Sequence, residues 1–70
     1  MNYAKWEKEY REMAKEAGNL IIAYNRQRKK VDTLQAAIGL ELKILKMRKI
    51  RDDCLITAKA LSEYKNSGVE

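Results

Sequence analysis

From Tyr3 onward the chain places apolar residues at three- and four-residue steps: Tyr3, Trp6, Tyr10, Met13 and Ala17 recur along one helical face rich in aromatic rings. Between them charges alternate in sign, and Glu7–Arg11 and Lys8–Glu12 stand four residues apart, as on a solvated face tied by i,i+4 pairs. Asn2 is placed to cap the start of this helix. Gly18-Asn19 is placed to end it, because glycine takes the left-handed C′ conformation without steric cost. The spacing predicts a first helix over residues 3–17.

The apolar pattern restarts at Leu20. At about 100° per residue, Leu20, Tyr24, Val31, Leu34, Ile38, Leu42 and Leu45 fall in one stripe whose phase does not shift. That continuity predicts a long second helix over residues 19–64. The alternative is a break near 31–33, where Asp32 and Gln35 have capping-box spacing, or near 51–53, where Asp52-Asp53 could cap a third helix. Ala36, Ala37, Leu40, Ile44, Met47, Cys54, Leu55, Ala58 and Leu61 make a second stripe about 200° away on the same wheel. A helix apolar on two faces needs cover on both. The first stripe is expected to receive helix 1. The second, with Leu40, Ile44, Met47 and Leu55 as its interface residues, is expected to receive another copy of the chain or a folded-back C-terminal helix.

Composition agrees with helix and with association. Proline is absent, glycine occurs only at Gly18, Gly39 and Gly68, and Ala, Leu, Lys, Glu and Arg dominate. The expected fold is all-α: a short first helix packed on a long second one, continuous or gently kinked with a break as the alternative, in one domain over residues 1–66 with a frayed tail at 67–70. Seventy residues bury a modest fraction of their surface, so a helical-bundle homo-oligomer is expected. The longest apolar run, Leu20 to Tyr24, falls far short of the roughly 20 residues of a membrane span, and the start of the chain lacks the apolar core of a signal peptide. A soluble, cytoplasmic protein without membrane contact is expected.

Chemistry has little to draw on. There is no histidine, and the single Cys54 lies on an apolar stripe, where cysteine behaves as a small hydrophobe. Asp52 and Asp53 are adjacent and diverge by about 100°, which suits caps better than a catalytic pair. No catalytic residues, metal ligands or cofactor are expected, and the chain reads as a non-enzyme.

The charge distribution carries the functional signal. Residues 18–51 hold nine bases against Asp32 and Glu41, net +7, while residues 1–17 are neutral and residues 52–70 carry −2. A field of that sign steers anions toward the middle of the chain. On a continuous helical wheel Arg26, Lys30, Arg48 and Arg51 share a sector beside the second stripe, and guanidinium groups suit bidentate phosphate recognition. Tyr24 and Tyr10 could stack on a base beside them. The leading expectation is a small oligomeric binding protein that captures a phosphate-bearing ligand, a nucleotide or nucleotide signal, on this surface or in an intersubunit pocket, in the manner of small phage-type inhibitory or sequestering proteins. The alternatives are a nucleic-acid-binding regulator or accessory factor, and a protein–protein inhibitor that grips a partner's helix and meets an acidic protein surface with its bases.

Overall fold

A computed structural model describes residues 2–66. They form two helices joined by three residues: α1, Tyr3–Lys30, and α2, Leu34–Asn66. The all-helical expectation holds, but the division of the chain differs. The Asn2 cap forms as expected, its side-chain oxygen accepting from the Lys5 backbone N–H at 3.1 Å. The predicted end at Gly18-Asn19 does not, and α1 continues through both residues. A helix-interior glycine costs about 1 kcal/mol, whereas Ala14, Ala17 and Ile21 keep one buried face in phase across it. Tertiary burial outweighs the local signal here.

The chain turns at residues 31–33, the alternative break, and the long helix over residues 19–64 is not formed. Val31 is extended, at φ −80° and ψ 144°, and Arg28, Lys29 and Lys30 in the last turn of α1 complement the negative end of its dipole. The start of α2 is capped by Thr33 rather than Asp32: the Thr33 hydroxyl accepts from the Ala36 N–H at 3.3 Å. The other candidate break, at residues 51–53, is continuous helix, and Asp52 accepts from Arg51 Nε at 3.2 Å instead of capping a third helix. The tail at 67–70 lies outside the described residues.

The helices run antiparallel in a rod about 54 Å long and 13 Å across. Tyr3 meets Tyr64 at the open end, with ring centroids 5.9 Å apart, and Arg28 pairs with Glu41 near the turn. Both helices rise about 1.5 Å per residue, so residue 20 stands level with about residue 48, and residue 10 with about residue 58.

On α1 the seam positions are Tyr3, Glu7, Tyr10, Ala14, Ala17, Ile21, Tyr24 and Arg28. On α2 they are Ala37, Leu40, Ile44, Met47, Arg51, Cys54, Ala58 and Leu61. All are buried or half-buried. Their alternating four- and three-residue steps are the heptad spacing of a coiled coil.

The two stripes of α2 therefore exchange roles. The face expected to take a second copy takes α1, and Leu34, Ile38, Leu42 and Leu45, expected to receive helix 1, are exposed. The reason is length: the Ala37-to-Leu61 seam runs along nearly all of α2, whereas the other stripe stops at Leu45, so the first choice buries more. Trp6 and Met13 likewise lie beside the seam, each 41% exposed, instead of within it.

At the open end Glu7 accepts from Lys65 Nζ at 3.1 Å and from Arg11 Nε at 2.9 Å. Lys65 first, and Arg11 second, hold its carboxyl below the ordinary range. A carboxyl depressed in the folded state adds stability that is fully present above the unfolded value of about 4.3 and is lost as pH falls through the folded value. Glu7→Gln should thus melt below wild type at neutral pH, and the gap should close below about pH 4. A gap constant from pH 7 to pH 3 would show that the pair does not contribute.

Candidate basic flank

The hairpin has two sides flanking its seam, and they differ in chemistry. One carries a hollow of about 400 Å³ lined by Trp6, Glu9, Tyr10, Met13, Thr57 and Leu61. Further toward the turn on this side, Lys43 Nζ sits 5.8 Å from the Tyr24 ring centroid, a cation–π distance. No base lines the hollow.

The opposite side is basic. At about 100° per residue, Lys8, Arg11, Lys15, Arg26 and Lys29 of α1 fall within about 60° of one another on the side away from the hollow. Glu9 and Glu16 point elsewhere on α1, while Glu12, four residues from Lys8, borders this arc. From α2, Arg48, Arg51 and Lys59 lean to this same side of the seam. Lys8 to Lys29 spans 21 residues, or roughly 32 Å of rod. Glu7, Glu12, Glu41 and Asp52 are the acids beside these bases, and Glu7 is engaged by Arg11 and Lys65. Glu41 is engaged by Arg28 and Asp52 by Arg51. Among the described residues, no ion pair engages Lys15, Arg26, Lys29 or Arg48.

The six residues expected to form one anion site are not brought together. Arg26, Arg48 and Arg51 lie on the basic flank, although Arg51 is half-buried in the seam and bonded to Asp52. Lys30 projects from the back of α1, away from α2. Tyr24 and Tyr10 are half-buried toward the hollow side, about 21 Å apart along α1. The common sector read from the sequence assumed one continuous helix, and the turn at 31–33 dissolves it.

Of the interface residues, Leu40 and Ile44 are buried and Met47 is half-buried in the hairpin's own seam. A second copy cannot use them without opening the hairpin. Leu55 remains exposed beside the basic flank.

Sequence reasoning missed Lys8, Arg11, Lys15, Lys29 and Lys59 as members of this face. The alternation of signs in α1 resembled a uniformly solvated surface. The three- and four-residue steps of Lys8, Arg11 and Lys15 already separated them from Glu9 and Glu16.

Cys54 is buried as a free thiol, in line with its reading as a small hydrophobe. Among the described residues, no group of three His, Cys, Asp or Glu side chains could hold a metal ion, and no helix is long and apolar enough to cross a membrane. No known protein family, curated protein or solved structure matches this chain.

Proposed function

We propose that this chain is a non-enzymatic binding protein whose basic flank takes an extended phosphate-bearing ligand, the backbone of a nucleic acid. The observation that supports this most is the placement of bases from both helices along roughly 32 Å of one side of the rod. Lysine and arginine side chains lined up on a convex surface neutralise successive phosphates and release their counterions. A mononucleotide would instead need an enclosing pocket with convergent donors. The hollow, with Glu9 at its wall and no base, does not suit one. The geometry thus favours the nucleic-acid alternative over nucleotide capture. A rod bearing charge but no groove-reading polar helix suits backbone contact, which carries little sequence preference.

Fluorescence anisotropy with a labelled duplex and a labelled single strand of about 20 nucleotides tests this. The expected result is saturable binding that weakens steeply between 50 and 200 mM salt, as counterion release requires, without competition from mononucleotides. No binding at 50 mM salt, or competition by a mononucleotide at equal concentration, would overturn it.

A further inference from the structure

We infer that the outer face of α2 is a self-association surface, on which a second copy of this chain packs antiparallel through Leu34, Ile38, Leu42 and Leu45. These four side chains point away from α1 and are 51–78% exposed. The inference is independent of what the basic flank binds.

Four observations select a second copy as the occupant. The first is how little one hairpin buries. Among the described residues, Ile44 is the single large side chain that is fully buried, and neither a disulfide nor a group of metal ligands fastens the two helices. A chain of this size gains stability from further burial, and the partner present at every moment of its folding is another copy of itself.

The second is symmetry. A two-fold interface must be complementary to itself. The stripe reads nearly the same in both directions about a centre near Gly39: reversed, Leu34 meets Leu45 and Ile38 meets Leu42 of the second copy.

The third is Gly39. A glycine inside a helix is unfavourable, and nothing lies within 4 Å of where its Cβ would be, so packing within the hairpin does not require it. It stands level with the centre of the reversed stripe, about 60° round the helix from Leu42, and leaves that rim of the interface without a side chain.

The fourth is charge. In this register Asp32 of one copy falls level with the turn of α2 between Lys46 and Lys49 of the other. Asp32 takes part in no ion pair among the described residues. Opposite charges placed this way favour the antiparallel over the parallel arrangement, in which Asp32 would meet Asp32.

Sedimentation equilibrium gives the first test. Wild type at about 50 µM is expected at twice the chain mass of 8.2 kDa, and Ile38→Glu with Leu42→Glu at the single-chain mass with helical circular dichroism retained. Both positions are exposed in the hairpin, so loss of mass with helicity kept isolates the interface. Wild type at 8.2 kDa, or a double variant that stays dimeric, would overturn the inference.

Orientation is read separately in a Cys54→Ala background. An equimolar mixture of Leu34→Cys and Leu45→Cys chains, oxidised with glutathione disulfide, should crosslink to each other more readily than either chain does to itself. Preferential self-crosslinking of Leu34→Cys would overturn the antiparallel arrangement.

Discussion

Ile44→Asp is expected to unfold the hairpin. Ile44 is 0% exposed, where its seam neighbours Leu40 and Cys54 each keep 9%. Replacing it removes a packed aliphatic side chain, worth about 2 to 5 kcal/mol in such a position. It also asks a carboxylate to sit among apolar groups with no donor to receive it, which costs further unless the group takes up a proton. The total stability of a domain this size is on the order of 3 to 10 kcal/mol, so one substitution of this kind consumes most of it. Circular dichroism at 25 °C and neutral pH should show loss of most helical signal. Leu42→Asp, a similar exchange two positions earlier at a side chain 62% exposed, should leave the hairpin's helicity largely in place. Equal loss in the two variants would mean that the α1-facing side of α2 is not the seam. Ile44→Asp also acts differently from what the two-stripe reading implies: it removes the fold itself, where a variant in an oligomer interface would only lower the mass.

The helices were legible because their signals were local or summed over many residues. Asn2 announces the first cap, and the absence of proline together with the abundance of Ala, Leu, Lys and Glu announces helix throughout. The turn was also written locally, but weakly. Val31-Asp32-Thr33 holds no glycine or proline, and an apolar stripe that keeps phase across it argued for continuity. Gly18-Asn19 carried a stronger local stop signal and is helical all the same, because the seam through Ala14, Ala17 and Ile21 depends on α2, which no local pattern reveals.

The choice between the stripes of α2 is likewise a property of the pair of helices. It depends on matching two seams over their full length, and α1 supplies small residues, Ala14 and Ala17, toward the half of α2 that offers Cys54 and Ala58. Arg51 conceals the continuity of that half, since a base at a seam position reads as an interruption. In the structure it is half-buried and satisfied by Asp52. The candidate site followed the fold: bases that shared a sector on one helix were distributed over two, and a face that crosses between helices became visible only once the hairpin was formed.

Reversing three bases on that face is expected to abolish nucleic-acid binding while leaving the rod intact. Lys15→Glu, Arg26→Glu and Arg48→Glu together span the middle of the flank, all three side chains are exposed, and no ion pair among the described residues holds them. Surface changes of this sort shift stability by about 0.5 kcal/mol or less each, so thermal melting should stay near wild type. Removing one base from a phosphate lowers the salt slope by about one, and putting an acid in its place adds repulsion. The combined variant should bind on the order of 100-fold more weakly at 50 mM salt.

Net charge alone would also weaken binding, and the decisive comparison removes that ambiguity. Lys5→Glu, Lys43→Glu and Lys46→Glu make the same change in net charge on faces away from the flank, and Lys46 lies on α2 as Arg48 does. If the flank is the binding surface, this second variant keeps most of the affinity and most of the salt slope. If both variants lose affinity equally, the attraction is a diffuse field of the whole molecule, and the alignment of Lys15, Arg26 and Arg48 on one side of the seam has no binding role. Arg28 and Arg51 are poor choices for such a test despite their place in the basic run. Their bonds to Glu41 and Asp52 mean that reversing them would set like charges side by side in the half-buried seam and confound a binding change with a folding one.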